Sequence, residues 1–321
     1  MTNFYPLQFE PIFKERIWGG EKLKSVLNKP IVSKITGESW EISTVPGDVS
    51  VISNGFFKGK SISDLINEFP EAILGKAVYA KFGNQFPLLF KYLDARDDLS
   101  IQVHPNDELA KKRHNSFGKT EMWYVIQADE NAELIVGFKE NSNQEVYLKH
   151  LQNKSLTSIL EAIKVKKGDV FFLETGTVHA IGAGTLIAEI QQTSDITYRI
   201  FDFDRKDAAE NSRELHTELA LSAINYNKTD SQKWYPTNTN QLNEMVNCPF
   251  FTTNFLPLNG EISVSKNKNS FTVYMCTEGN FEINFDHQTA SFSKGDTILI
   301  PAFLNEFSIK GNATLLEIYI S

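Results

Sequence analysis

The sequence predicts a mainly β protein built from two copies of one β module, with a few helical insertions. Three observations support this prediction. Short apolar strands separated by turn residues occupy most of the 321 residues, a Lys-Gly-Asp strand motif occurs twice, and helical periodicity is confined to three stretches. Many short strands of this kind are typical of a sandwich or barrel.

The strand pattern recurs along the whole chain. In the first part it covers 85–93, 122–127, 133–138, 169–173 and 185–191. In the last part it covers 251–256, 271–276, 281–285, 297–300 and 314–320. Their apolar, β-branched and aromatic content favours strands over short helices.

Helical spacing of apolar residues predicts helices over 61–69, 143–163 and 207–225, the second with a break near Asn153. The stretch 226–247 is polar and rich in asparagine, which favours a linker between the two modules.

An internal repeat supports the two-module interpretation. Residues 167–179 and 294–306 both begin Lys-Gly-Asp followed by a strand, and 122–126 is similar to 272–276. The helical stretch 143–163 would then be an insert in the first copy. We therefore predict two domains, a first one over 1–230 that contains the helical inserts and a second one over 231–321.

Composition limits the class of partner. The chain carries 32 Lys+Arg against 40 Asp+Glu, a net charge of −8, so an acidic surface should repel nucleic acid. It has neither a signal-peptide pattern nor a run of about 18 apolar residues, which predicts no membrane association. Cys248 and Cys276 do not form a disulfide framework, which favours a cytoplasmic protein. The oligomeric state is left open.

Four side chains of the first copy predict a metal site. Gln102 and His104 are two apart, so they face the same side of a strand. Glu121 begins the next strand pattern, and His179 follows a glycine-containing turn after the strand 169–173. Two histidines, one glutamate and one glutamine suit a divalent ion such as zinc.

The second copy lacks these ligands. In the repeat alignment His179 matches Glu306 and Glu121 matches Phe271. The alignment predicts that one copy carries the chemistry and that the other is structural.

The motifs around these residues resemble those of the type I phosphomannose isomerases. The matching segments are SIQVHP (100–105), KTEMWYV (119–125), GTVHAIG (176–182), SDITYRIFDFDR (194–205), RIWGG (16–20), GESWEIS (37–43), PLLFKYLDA (87–95) and RELHTELAL (213–221). The resemblance implies two cupin-like β-barrel or jelly-roll modules, as in the compact bacterial members, with metal ligands in the first module alone.

The resemblance also implies a function. Members of this family interconvert mannose 6-phosphate and fructose 6-phosphate through a cis-enediol, so we expect a small sugar phosphate as substrate and one Zn²⁺, or another divalent ion, per chain. Two alternatives stay open. One is a sugar-phosphate-binding cupin without turnover, against which the intact ligand set argues. The other is a different metal-dependent cupin enzyme, such as an oxygenase, against which the glutamine ligand argues.

Site residues follow from the resemblance motif by motif. It implies metal ligands at Gln102, His104, Glu121 and His179, a catalytic arginine at Arg199, pocket lysines at Lys91 and Lys119, and further pocket positions at Trp18, Ser100, Glu189 and Asp195.

The residue that moves the proton is left open between Lys119 and Glu189. Lys119 should face the same side as Glu121, where a nearby cation would lower its pKa towards a useful range. Structural alternatives also stay open: Lys91 could extend from a strand end, Arg199 could pair with Asp195, and Trp18 could be a core residue.

Overall fold

Strands dominate the computed structural model, which describes residues 4–206 and 210–321. The strands are β1 Leu7–Gln8, β2 Ile12–Gly20, β3 Thr36–Ile42, β4 Thr44–Val45, β5 Asp48–Val49, β6 Leu88–Ala95, β7 Ile101–Val103, β8 Glu121–Ala128, β9 Glu133–Phe138, β10 Leu160–Lys164, β11 Val170–Leu173, β12 His179–Ile181, β13 Thr185–Gln192, β14 Tyr198–Phe201, β15 Gln232–Lys233, β16 Asn243–Asn247, β17 Thr252–Ser265, β18 Thr272–Phe285, β19 Gln288–Ser293, β20 Thr297–Ile300 and β21 Glu306–Tyr319. The helices are α1 Lys22–Ser25, α2 Ile62–Glu68, α3 Pro70–Leu74, α4 Lys76–Phe82, α5 Asp107–His114, α6 Gln144–Gln152 and α7 Thr217–Leu221. None of these helices is both long and apolar enough to cross a membrane.

The first module consists of two facing sheets. One has the order β15-β11-β8-β13-β6-β3-β2, and the other has the order β10-β9-β12-β7-β14. Alternation along β13 turns Ile187 towards the space between the sheets and Ala188 towards the opposite face. The sheets are open layers rather than a closed barrel, and they are compatible with a cupin-like jelly roll. The prediction of a mainly β, cupin-like fold is confirmed.

The second module is a single seven-stranded sheet, β1-β20-β18-β21-β17-β16, with β19 on β18. Its strands β17, β18 and β21 each have 14 residues. They enclose a separate core that includes Leu256, Tyr274 and Phe307.

The two modules pack back to back. Ala188 and Ile190 on β13 share one buried core with Leu316 and Ile318 on β21. Because side chains alternate along a strand, the intervening residues face the interior of their own module. The outer faces thus form the contact between the modules, and the inner face of each module packs against side chains of the same module.

The Lys-Gly-Asp motif forms the same turn in both modules. Gly168 and Gly295 have φ of +90° and +93°, a backbone region that glycine adopts without strain. The following aspartates close the turn, since Asp169 Oδ2 accepts from Lys166 N at 2.9 Å and Asp296 Oδ2 accepts from Ser293 N at 2.7 Å. The structure confirms the internal repeat.

The repeat alignment is wrong by one residue on the strand that carries Glu121. Glu121 lies opposite Leu173, and Thr272 lies opposite Ile300 in the same ladder position. Glu121 therefore corresponds to Thr272 and not to Phe271. The one-residue slip matters because it exchanges the inner and outer faces of a strand.

The match of His179 with Glu306 is also displaced. Glu306 is exposed, whereas Phe307 packs in the core of the second module and lies opposite Val264. In the first module, His179 lies opposite Gln102. The positions of the second module that correspond to Glu121 and His179 thus hold Thr272 and Phe307, so the conclusion that it lacks these metal ligands stands.

The helix predictions were partly correct. Over 61–69, α2 follows Ser61, whose side chain caps the helix by accepting from Asp64 N. Over 143–163, α6 ends at Gln152, and β10 then pairs with β9, because apolar residues in a short run can serve either structure.

The third helix is shorter than predicted, and the linker is more ordered. Over 207–225, the described part contains only the five residues of α7, and residues 207–209 lie outside the description. The predicted linker 226–247 holds β15 and β16, which pair with β11 and β17. Strand β1, near the start of the chain, pairs with β20. A division of the chain at residue 230 stays a prediction.

Candidate metal and substrate site

The predicted metal ligands meet between the two sheets of the first module. His104 follows β7, Glu121 begins β8 and His179 begins β12, and their ligand atoms all lie within 4.8 Å of one another. Gln102 Nε2 lies 3.3 Å from His179 Nε2. The facing sheets therefore bring together four residues from three separate stretches of the sequence, and we call these four residues the metal group.

Hydrogen bonds orient both imidazole rings. His104 Nδ1 lies 2.8 Å from the carbonyl oxygen of Ile196, and His179 Nδ1 lies 2.8 Å from that of Thr177. Because a carbonyl only accepts, each Nδ1 carries the proton and each Nε2 presents its lone pair to the group.

Burial keeps both histidines neutral. It lowers the pKa of His179 to about 4 and holds the pKa of His104 well below its usual range, with the Lys119 charge adding to the effect on His104. Neutral imidazole is the form that binds a metal ion.

Glu121 is a buried carboxylate without a hydrogen-bond donor among the described residues. Lys119 Nζ lies 2.9 Å from Glu121 Oε2, but the contact lacks hydrogen-bond geometry. Burial raises the pKa of Glu121, although Lys119 opposes this shift. Lys119 is thus the cationic partner of this buried carboxylate. The Glu121 oxygens also lie 3.6 Å from His104 Nε2 and 3.3 Å from His179 Nε2, so together with the two neutral imidazoles they fit a divalent cation.

A cavity of about 540 Å³, which we call the first cavity, adjoins this group. All the predicted catalytic and pocket residues line it, together with one predicted metal ligand, Gln102. The catalytic and pocket residues are Trp18, Lys91, Ser100, Lys119, Glu189, Asp195 and Arg199. The structure therefore brings the predicted metal ligands and the predicted pocket residues to one place.

Glu189 is held by two donors on the floor of the first cavity. Trp123 Nε1 donates to Glu189 Oε1 at 3.0 Å, and Lys91 Nζ lies 3.2 Å from Oε2. Burial opposes the charge of Glu189, but Lys119 and Lys91 outweigh it and lower the pKa. Lys91 is thus a buried partner of a carboxylate rather than a side chain that extends from a strand end into solvent.

Lys119 lies between the metal group and Glu189. It is 4% exposed, and its Nζ is 3.1 Å from His104 Nε2. Burial disfavours its charge, but Glu121 and Glu189 outweigh this and raise its pKa. The side chains alone therefore keep Lys119 charged, and a cation on Glu121 would act in the opposite direction.

Arg199 presents a half-buried charge without a described carboxylate partner. Its Nη1 donates to the carbonyl oxygen of Glu214 at 2.8 Å, and its Nε has no hydrogen-bond partner among the described residues. No described ion pair joins it to Asp195. Burial, followed by the charge of Arg213, lowers its pKa.

Trp18 belongs to both the core and the cavity. It is 4% exposed, packs in one cluster with Leu93, and lines the first cavity. The two interpretations of Trp18 were therefore compatible.

Sequence reasoning missed several residues that line the first cavity. On β3, Glu38 Oε1 accepts from Arg16 Nε at 2.6 Å and Glu38 Oε2 accepts from Trp40 Nε1 at 2.5 Å. Burial opposes the charge of Glu38, but Lys91 and Arg16 lower its pKa. The alternation of Glu38 and Trp40 within a matched motif was the available signal. Arg213 lines the same cavity and pairs with Asp202.

The chain is similar to known proteins of one enzyme family. The family model for the catalytic domain of type I phosphomannose isomerase matches residues 7–162, and the model for the mannose-6-phosphate isomerase cupin domain matches residues 241–320. A mannose-6-phosphate isomerase of Bacillus subtilis is 38% identical over 96% of both chains. One of Streptococcus mutans is 35% identical over 97% of both chains. The crystal structure of a mannose 6-phosphate isomerase from Bacillus subtilis matches with a TM-score of 0.90 at 35% identity, covering 98% of this chain and 99% of that one.

Proposed function

The chain belongs to the type I phosphomannose isomerase family, and from that premise we propose that it interconverts mannose 6-phosphate and fructose 6-phosphate through a cis-enediol. One observation carries the proposal. A buried cation-binding group adjoins the cavity that Lys91, Lys119 and Arg199 line, in a chain whose net charge is −8. This local positive charge suits a small anionic sugar.

Four residues would hold the ion: Gln102, His104, Glu121 and His179. Their nitrogen and oxygen donors favour Zn²⁺, one per chain. When bound, the ion supplies Lewis-acid polarisation of the substrate oxygens at C1 and C2.

We assign the proton transfer to Lys119. Isomerisation removes the proton from C2 of the aldose and returns it to C1, so it needs a base that can hold a proton in between. Glu189 is a poor base because Trp123 and Lys91 occupy its oxygens and its pKa is lowered. Lys119 instead reaches into the first cavity beside Glu121. The side chains alone keep it charged, and a cation held by Glu121 would lower its pKa towards that of a base.

We assign to Arg199 the stabilisation of negative charge on the substrate. Negative charge develops on the substrate oxygens as the enediol forms, and a fixed cation facing them stabilises that charge. Arg199 suits this role because its charge is not already matched by a described carboxylate. Lys91, Ser100, Asp195 and Trp18 would orient the sugar phosphate, since all four line the first cavity.

A coupled assay on mannose 6-phosphate tests the proposal. Chelation should abolish isomerisation, and stoichiometric Zn²⁺ should restore it, with metal content measured by mass spectrometry. Full activity in metal-free protein would exclude the metal-dependent mechanism. Tight sugar-phosphate binding without turnover in metal-loaded protein would favour the binding-module alternative.

Substitution of Arg199 tests its role separately. Arg199→Ala should leave metal content unchanged and lower kcat by about 10²–10³-fold, as expected for the loss of one charge-stabilising group. Lys112→Ala, on the exposed face of α5, is the matched control and should change neither quantity. An unchanged rate in the Arg199 variant would remove this residue from the mechanism.

A cytoplasmic location is also part of the proposal. Cys248 and Cys276 are both free and buried, as is usual for proteins in a reducing compartment. A fractionation experiment that places the protein outside the cytoplasm would contradict it.

A further inference from the structure

The second module contains its own cavity, of about 720 Å³, which we call the second cavity. Thr272 lies on its floor at the ladder position that corresponds to Glu121. Val264 lies in its wall, opposite Phe307, as Gln102 lies opposite His179. The second cavity thus occupies the same place in its module as the metal group and first cavity occupy in theirs.

A buried carboxylate beside an aromatic donor is common to both cavities. In the first module Glu189 lies opposite Trp123, and in the second Glu317 lies opposite Tyr274. Tyr274 donates its hydroxyl proton to Glu317 Oε1 at 3.1 Å, as Trp123 Nε1 does to Glu189 Oε1 at 3.0 Å. Glu317 is fully buried.

The charges around this carboxylate differ between the modules. Lys266 Nζ donates to Glu317 Oε1 at 2.5 Å and to Thr272 Oγ1 at 2.9 Å. Asn254, which lies opposite Glu317 as Lys91 lies opposite Glu189, donates to Oε2 at 2.8 Å. One ammonium therefore balances one carboxylate, and the floor of the second cavity is electrically neutral.

The walls of the second cavity combine apolar and aromatic side chains with uncharged polar ones, mostly serines and asparagines. Ile262, Val264 and Tyr319 are half-buried, and Leu242, at the mouth, is 51% exposed. Among the described residues, the charged side chains of the lining are Lys266 and Glu317, which neutralise each other. A phosphorylated ligand would find no free cation there.

We propose that the second cavity binds an uncharged sugar or polyol. Lys266, whose side chain is 21% exposed, and the exposed side-chain amides of Asn267 and Asn269 can bond sugar hydroxyls. The Tyr319 ring offers an apolar surface to the C–H face of a sugar ring. The volume lies in the range of small-molecule sites. The two modules would then bind two classes of sugar: the first binds the anionic sugar phosphate of the proposed function, and the second binds a neutral sugar.

Saturation-transfer NMR with D-mannose, on the metal-loaded full chain, tests this proposal. Excess mannose 6-phosphate and fructose 6-phosphate at equilibrium keep the first cavity occupied. Mannose should still bind, with a millimolar Kd. Leu242→Trp, which fills the mouth, should weaken that binding at least about tenfold. Its turnover of mannose 6-phosphate should stay within about twofold of wild type, since Leu242 is remote from the metal group.

Tyr319→Ala provides a second variant, because it removes part of the wall while the three residues that donate to Glu317 stay in place. It also removes the ring that Lys266 Nζ faces at 5.2 Å. It should also weaken mannose binding. The proposal is overturned if mannose does not bind at about 100 mM, if sugar phosphates displace it completely, or if it binds both variants as tightly as wild type. Displacement by sugar phosphates would show that mannose binds in the first cavity, and the proposed isomerase activity would be unaffected.

Discussion

The two modules are built around the same inner carboxylate but differ in what surrounds it. Glu189 and Glu317 occupy equivalent ladder positions, and each accepts from an aromatic donor on the neighbouring strand. Among the described residues, two histidines and a second carboxylate lie together beside Glu189, and no such group lies beside Glu317. The inner carboxylate is therefore common to both modules, whereas the metal group is described in one of them.

The difference between the two modules lies in side chains on the inner faces of corresponding strands. A few substitutions on inner strand faces, such as Glu121 against Thr272 and Lys91 against Asn254, change a cationic metal pocket into a neutral one without changing the fold. Because side chains alternate across a strand, these changes leave the outer faces that pack the modules together untouched.

The largest expected contrast is between His179→Gln and Glu306→Gln, the two positions that the sequence repeat pairs. His179→Gln should lower metal affinity by more than about 100-fold and reduce turnover accordingly, since it removes an oriented ligand. Glu306→Gln alters an exposed side chain and should leave both unchanged. Metal content and coupled turnover check this contrast. Equal losses in both variants would mean that the second module contributes to the metal site.

A smaller contrast concerns the inner carboxylates themselves. Glu189→Gln leaves the nearly buried Lys91 without its ion-pair partner and should destabilise the protein by about 3 kcal/mol. Glu317→Gln should cost only about 1 kcal/mol, because the side chain of Lys266 is 21% exposed and can reach water. Urea unfolding of the metal-loaded protein measures both. If Glu317→Gln proved the more costly, the neutral floor of the second module would be its more important structural element.

The smallest expected effects are at the turn glycines. Gly168→Ala should cost about 1 kcal/mol through its positive φ alone, since the nearest atom to the new Cβ is Tyr235 Oη at 3.6 Å. Gly295→Ala should cost more, because its Cβ would lie 2.1 Å from the carbonyl oxygen of Leu27. Thermal unfolding compares the two. Equal shifts in Tm would show that the Leu27 segment moves aside easily.

Much of the candidate site could be predicted because its residues lie in short local patterns. Gln102 and His104 share a strand face, and the turn before His179 carries its own glycine. Arg16 and Arg213 were missed because their relation to the cavity depends on which elements neighbour one another, which local spacing does not encode. Glu38 had a local signal, its alternation with Trp40, but its place in the cavity depends on the pairing of β3 with β2 and β6.

The errors of register and of helix length have a common origin. Glu121 was aligned with Phe271 and His179 with Glu306 because similarity along one strand tolerates a shift of one residue, whereas a ladder does not. The strand at Leu160 was taken for helix because its apolar residues satisfy both periodicities, and pairing with β9 decided between them.

Residue chemistry and local spacing were enough to predict the β-rich class, the repeat and the metal-ligand types, and the family resemblance added the cationic pocket residues. That two open sheets face each other closely enough to gather Glu121 with His104 and His179 became visible in the fold alone. The fold also decided that the second module keeps a cavity with a neutralised carboxylate at the same place. These properties depend on contacts between residues distant along the chain, and such contacts are set by how whole faces pack together.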